Sequence, residues 1–327
     1  MRIRNVLVTG AGGKIGRNLV PALLARGYDV TAVRFRSPLP FKGATVLKGS
    51  VSDRAFVRRA LRGIDAVCHL ATSKEDEQGF IDVSVRGTFN LLEECRRSSR
   101  VKQFLLAGGD AALGIFFYPH PVPLNETAPL AAYPGVYALS KVLEETLCNQ
   151  YVIQHSLPVT ILRFSWIQDE DDILAYMTLA EPNFGGPPWK DLARTAKQKS
   201  FFRKKRDAVG CLRHPGGAPY KRHVVGARDV VQSFLLALGN PRARGETFNI
   251  AAPAPASYDV LSAYIAQRLK LPVVDFTLDG FHDFSIDISK ARSVLGYRPE
   301  YDVFRIVDEA VDFRRLGRTR TPVRYFG

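Results

Sequence analysis

The sequence predicts an α/β chain, a doubly wound parallel sheet followed by a smaller, partly inserted C-terminal region. Three observations predict it. Short β-branched runs alternate with longer amphipathic stretches through residues 1–165, a glycine-rich loop separates the first such run from the first helix, and the alternation degrades after Trp166. Alternation of this kind builds βαβ units with right-handed crossovers, so helices cover both faces of the sheet. With 327 residues the chain is near the upper size of a single core, and it needs no disulfide or metal staple.

Taken in order, residues 5–9 (Asn-Val-Leu-Val-Thr) read as a buried strand, 15–26 as a helix, 29–33 as a strand and 55–61 as a helix that Asp53 would cap. Residues 66–70 form the next strand, 83–98 a helix, 103–106 a strand, 135–155 a helix and 159–162 a strand. Order returns with a helix at 228–238, a strand at 247–250 and helices at 258–269 and 303–315. Between them, residues 181–222 are rich in Pro, Gly and basic side chains, including Pro182, the 185–188 turn and a basic run, and they read as an insertion over the active face. The expected division is a dinucleotide-binding domain over residues 1–165, joined by 223–251, and a substrate-binding region over residues 166–222 with 252–327.

Composition excludes some classes and leaves others open. There are 46 Lys and Arg against 32 Asp and Glu, a formal charge of +14, with 46% hydrophobic and 24% charged residues, which excludes a disordered or collagen-like chain. The excess of positive charge suits nucleic acid or an enzyme whose ligands carry phosphate or carboxylate. The four cysteines, Cys68, Cys95, Cys148 and Cys211, are far apart and form no metal-ligand set, so they read as reduced thiols. No apolar leader precedes Val6, and no run reaches the roughly 18 apolar residues of a membrane helix. A soluble cytoplasmic protein is expected, acting on a small molecule, and a homodimer would suit it.

Two constellations carry chemistry. In Thr9-Gly10-Ala11-Gly12-Gly13-Lys14-Ile15-Gly16, between strand and helix, glycines permit a tight turn and the close approach of a pyrophosphate, which the helix N-terminus favours. At the end of the second strand an acid would bind the adenosine ribose hydroxyls. Arg34 stands there instead, with Arg36 beyond it and Lys14 in the loop, so NADP is expected and NAD, with Arg34 stacking on adenine, is the alternative. The second constellation is Tyr137 and Lys141, one turn apart on one helix face. A phenol of pKa about 10 carries protons poorly at neutral pH, and a nearby ammonium lowers that value.

Thr9 to Gly16, the segment Asp65-Ala66-Val67-Cys68-His69-Leu70-Ala71 and the Tyr137/Lys141 pair together resemble the extended short-chain dehydrogenase/reductase family, whose members bind NAD or NADP on a Rossmann-type sheet. The resemblance runs nearly end to end, through Leu162-Arg163-Phe164, Arg222 to Asp229, Asp287 to Ala291 and Leu295 to Pro299. It implies cofactor contacts along Gly10, Gly12, Gly13, Lys14, Ile15, Gly16, Arg34, Leu70 and Ala71, catalysis by Tyr137 and Lys141, and substrate contacts at Arg222 and Trp166. It implies no metal.

The departures from the family are equally informative. A Ser or Thr upstream of the tyrosine hydrogen-bonds the reacting oxygen in this family, and Gly109 takes its place here. Asp110 corresponds to the acid of the sugar dehydratase branch, but the glutamate that follows it there is Ala111, so Asp110 reads as an acid or base or as a structural hydrogen-bonding group. Arg222 matches an arginine that clamps a pyrophosphate in the epimerases. The family's asparagine is Trp166, and the second arginine falls near Thr277, which moves smaller polar substrates ahead of nucleotide sugars. Residues 113–119 loosely resemble a loop of uronate dehydrogenases.

The basic run at 190–206, interleaved with Trp189, Phe201 and Phe202, suits nucleic acid by charge and stacking, but a substrate lid, a subunit contact or a solvated face is the preferred reading. The function expected is hydride transfer between nicotinamide and a hydroxyl or carbonyl of a sugar or sugar acid. A sugar epimerase or dehydratase that retains its cofactor is the alternative, and a catalytically silent cofactor-binding protein the second.

Overall fold

The structure, a computed structural model, describes residues 3–35, 41–180 and 185–321. Arg36 and Pro182 lie outside the described residues. The elements run β1 (Asn5–Thr9), α1 (Lys14–Ala25), β2 (Asp29–Arg34), β3 (Thr45–Lys48), α2 (Arg54–Ala60), β4 (Ala66–His69), a short α3 (Glu77–Gly79), α4 (Thr88–Arg97), β5 (Gln103–Gly109), α5 (Val136–His155) and β6 (Val159–Phe164). The second half holds β7 (Trp166–Gln168), α6 (Asp172–Met177), α7 (Ala196–Arg203), β8 (Val209–Arg213), β9 (Lys221–Arg222), β10 (Val224–Gly226), α8 (Ala227–Ala237), β11 (Glu246–Ile250), β12 (Ala256–Ser257), α9 (Tyr258–Leu269), β13 (Val273–Thr277) and α10 (Val303–Arg315).

Seven parallel strands form the main sheet in the order β11-β6-β5-β4-β1-β2-β3. Strands on the two sides of β1 are wound in opposite senses, so a crevice opens beyond the carboxyl ends of β1 and β4. Leu19, Val20 and Leu23 of α1 pack with Val230 and Phe234 of α8 on one face. Phe56, Leu91, Leu92, Cys148 and Tyr151 from α2, α4 and α5 pack on the other. This is the doubly wound α/β architecture the sequence predicts, and Asp53 does cap α2, its carboxylate accepting from the Ala55 and Phe56 amides.

Three sequence expectations change. The helix expected over 83–98 begins as a π-helical run, Phe80–Gly87, before α4. β5 continues past Leu106 to Gly109, which brings its carboxyl end to the crevice. The segment 181–222 is more than an insertion over the active face. It contributes α7 and β8, and β8 pairs in parallel with β13. Trp189 is 3% exposed, its indole N–H donates to the Tyr176 carbonyl at 2.8 Å, and Phe201 is buried in the same second core with Tyr258, Phe276 and Ile306. Aromatics held inside cannot stack on bases, so the basic run is the outer face of a packed element. Residues 185–188 still border the cavity described below.

A large buried aromatic truncated in a core costs about 3–5 kcal/mol. Trp189→Ala should therefore lower the unfolding free energy measured by denaturant titration by that amount, whereas a tryptophan lying on a loose flap would leave it unchanged.

Candidate active site

The glycine loop is built against β4. The Thr9 hydroxyl accepts from the Leu70 and Ala71 amides at 3.1 and 3.3 Å and meets His69 Nδ1 at 2.7 Å, while His69 Nε2 lies 3.0 Å from the Thr88 hydroxyl. Burial pushes the His69 pKa down to about 3, so the ring is neutral, Nδ1 accepts from Thr9 and Nε2 donates to Thr88. Gly10 sits at φ +63°, and a Cβ on it would lie 2.6 Å from the Ala71 nitrogen. A Cβ on Gly16 would lie 2.5 Å from Ala11 Cα. The turn is therefore open only to glycine at both points. No side chain caps α1, so its first amides face the crevice, as a pyrophosphate requires.

Arg34 closes β2 at the rim of the same cavity, and among the described residues no carboxylate pairs with it. Lys14 is different. The sequence sets its charge beside that of Arg34 for a 2′-phosphate, but its ammonium is engaged by Asp172 at 2.6 Å, with the Ile167 carbonyl and Tyr176 hydroxyl at 3.2 and 3.3 Å. Lys14 thus ties α1 to α6 and lines the cavity with its stem.

α5 begins after Gly135 at φ +144°, where the Glu75 carboxylate accepts from the Val136 and Tyr137 amides at 2.9 and 3.4 Å. Tyr137 and Lys141 face the cavity from this first turn and a half. The Lys141 ammonium is buried and donates to the Ala107 carbonyl at 3.1 Å and to Glu144 at 2.8 Å. Desolvation works to lower its pKa, but Glu144 and Tyr137 outweigh it and the net direction is up, so Lys141 stays charged. Lys74, from the loop after β4, places its ammonium 3.5 Å from the Tyr137 ring centroid, with the Lys141 ammonium at 5.8 Å. Desolvation raises the Tyr137 pKa, the two ammoniums oppose it, and the net is below the ordinary phenol value.

At the far end of the cavity, Gly109 leaves room where the family has a hydroxyl. A Cβ there would lie 3.9 Å from the Tyr137 oxygen and 3.7 Å from the Lys141 stem. The Asp110 carboxylate accepts from the Ser165 hydroxyl at 3.2 Å and faces the Arg222 guanidinium at 3.5 Å. Desolvation raises its pKa against the lowering by Arg222 and Ser165. Arg222 lies over the rings of Trp166 and Phe116, 4.9 and 5.8 Å from their centroids, and its Nε is buried without a partner among the described residues. Trp166 stacks in turn on Tyr176. The whole cavity is about 780 Å³, in the range of a cofactor and small-substrate site.

Residues 6–167 match the model of the NAD dependent epimerase/dehydratase family. The chain belongs to this family, within the short-chain dehydrogenase/reductases. A short-chain dehydrogenase/reductase superfamily protein of Agrobacterium tumefaciens, solved with bound NAD, matches with a TM-score of 0.81 at 29% identity, over 96% of this chain and 98% of that one. UDP-glucuronate 4-epimerase 1 of Arabidopsis thaliana is 24% identical over 91% of this chain and 74% of that protein. The L-arabinose 1-dehydrogenase (NAD(P)(+)) of Haloferax volcanii is 28% identical over 51% of this chain and 69% of that protein. The chain is thus an NAD(P)-dependent short-chain dehydrogenase/reductase of the oxidoreductase or epimerase type. Among the described residues no helix is long and apolar enough to cross a membrane.

The sequence reading missed Lys74, Glu75 and Ser165. Each reaches the site from a loop or strand end with no spacing to mark it, and only the post-β4 position of Lys74 and Glu75 could have drawn notice. Gly10→Ala tests the cradle. The added Cβ meets backbone, so cofactor dissociation constants should rise by about tenfold or more, equivalent to roughly 1.4 kcal/mol, in a calorimetric titration. Unchanged affinity would remove the loop from the cofactor site.

Proposed function

We propose that the chain oxidises a hydroxyl, or reduces the matching carbonyl, of a sugar or sugar acid with NADP as the preferred cofactor. The observation that carries this reading is the convergence of the Gly10–Gly16 cradle and the Tyr137/Lys141 pair on one cavity. Gly10, Gly12, Gly13, Ile15 and Gly16 would hold the pyrophosphate with the amides of α1. Leu70 and Ala71 would line the cofactor, Arg34 would take the adenosine end and Lys141 the nicotinamide ribose. When bound, the nicotinamide accepts or gives the hydride. Tyr137 takes the hydroxyl proton on oxidation and returns it on reduction, and Lys141 holds the phenol in range for that exchange.

We assign residues 1–165 with 223–251 to the cofactor and the rest to the substrate. To Asp110 we assign the structural one of its two expected roles, holding Arg222 in place. The far end of the cavity suits a small polar substrate better than a nucleotide diphosphate sugar. It offers one arginine, already facing a carboxylate, while Asp279 lines the wall beyond the exposed Thr277.

A sugar epimerase with retained cofactor is the second reading, supported by Arg222 and by the long alignment with the Arabidopsis epimerase. A screen of aldoses and uronates separates the two. Reduced nicotinamide formed in proportion to substrate supports the dehydrogenase. Isomerised sugar without net cofactor change supports the epimerase. Arg34→Asp should reverse the NADP-over-NAD order in a calorimetric titration, because a carboxylate repels a 2′-phosphate and accepts from a ribose hydroxyl. A parent protein that prefers NAD would overturn the NADP assignment.

A further inference from the structure

Lys74 raises a question the family pattern does not answer. The family hydroxyl that steadies the reacting oxygen is absent at Gly109, yet the space beside the Tyr137 oxygen is kept. A preorganised donor of this kind is worth about 100- to 1,000-fold in kcat, so a working enzyme needs another. The other lysine held against Tyr137, among the described residues, comes from the loop after β4.

We propose that Lys74 donates the hydrogen bond to the reacting oxygen that the missing hydroxyl would supply, acting beside Tyr137. This rests on the dehydrogenase reading above. Three features carry it. The Lys74 ammonium lies 3.5 Å from the Tyr137 ring centroid. Lys74 and Gly109 both line the cavity. The neighbouring Glu75 fastens the loop to the start of α5 through the Val136 and Tyr137 amides, so the loop that carries Lys74 and the helix that carries Tyr137 are held in one register. Gly135 keeps this junction open, since a Cβ there would meet the Glu75 carboxylate at 2.9 Å.

In the oxidising direction the hydroxyl proton passes to the Tyr137 phenolate. The electron pair of the carbon–hydrogen bond leaves as hydride for the oxidised nicotinamide, and a carbonyl forms. Lys74 keeps its proton and stabilises the negative charge that builds on oxygen between these two transfers. An ammonium also serves a second purpose, because it favours the phenolate. The charged and titratable groups around the pair are Lys141 and Glu144 from α5, Glu75 from the same loop, Asp110 after β5 with Arg222 of β9, Tyr133 before α5, and Lys14. Desolvation lowers the Lys74 pKa, with Tyr137 opposing, so its N–H groups are stronger donors than those of a lysine in water.

The test compares Lys74→Met, Lys74→Arg, Gly109→Ser and the Lys74→Met/Gly109→Ser double variant. For Lys74→Met we expect kcat about 100-fold or more below the parent, the rising limb of the oxidation pH profile moved to higher pH, and cofactor dissociation constants within about threefold by calorimetry. Lys74→Arg should keep most of the activity. Gly109→Ser should restore about tenfold or more in the Lys74→Met background, because the hydroxyl and the ammonium serve the same oxygen. Cofactor binding weakened about tenfold or more with kcat preserved at saturation would make Lys74 a cofactor ligand and overturn the proposal. Unchanged kcat, or no rescue by Gly109→Ser in a folded double variant, would also overturn it. The cofactor-free protein gives a readout that survives a wrong substrate reading. The tyrosinate absorbance lost in Tyr137→Phe should titrate at higher pH in Lys74→Met than in the parent, and identical titrations would overturn the proposal whatever the substrate. A parent that reduces no nicotinamide with any sugar, yet shows that titration shift, defeats the dehydrogenase reading and keeps Lys74 at the phenol.

Discussion

The site depends on one buried ion pair, Lys141 with Glu144. An ammonium left uncompensated beside the carboxyl end of β5 would lose its proton, and the phenol beside it would lose the charge that makes it a usable base. Glu144 prevents this at 2.8 Å, and the Ala107 carbonyl accepts a second N–H bond. Glu144 also accepts from the Thr72 hydroxyl at 3.3 Å, which joins α5 to the loop after β4. That loop goes on to Lys74 and Glu75. The anchoring of the proposed general base and the approach of the second lysine therefore share one connection between β4, β5 and α5.

A second set of charges sets the far wall. The acidic stretch Asp169 to Asp172 meets Lys14 and Arg17 of α1 and, from the end of the chain, Arg314 and Arg320. Several of these groups are mostly withdrawn from solvent, so the pairs hold better than surface ion pairs do. They fasten the segment after β7 to the start of α1, the helix whose first amides face the crevice. Trp166, Tyr176 and Arg222 then line the far end of the cavity as a consequence of that docking.

How much of this the sequence revealed follows from the range of the interactions. The Thr9 to Gly16 loop and the Tyr137/Lys141 pair are each local patterns, so strand-loop-helix context and helical spacing were enough to find them. The first strands and the last helices were readable for the same reason. Lys14 was read by neighbourhood as an anion ligand, but its partner Asp172 lies in the other half of the chain. Trp189 and Phe201 could be seen in a basic run but not assigned a core, because that core is built with Phe276 and Ile306, far along the sequence. β8 and β13 are short and form a two-stranded sheet of their own, from segments far apart in the chain. The π-helical run before α4 changes hydrogen bonding without changing the apolar pattern. Lys74 carried no signal beyond its position after β4, since its meaning comes from its contact with Tyr137, which is distant in sequence.

A crystal structure of the protein with NADP and a sugar acid that its activity selects would test the central claim most directly. The account predicts the pyrophosphate on the amides that follow Gly13 and the 2′-phosphate at Arg34. It also places the reacting oxygen within hydrogen-bond distance of both the Tyr137 hydroxyl and the Lys74 ammonium, beside an empty Gly109. A reacting oxygen out of reach of Tyr137, or a Lys74 ammonium bound to the pyrophosphate instead, would contradict it.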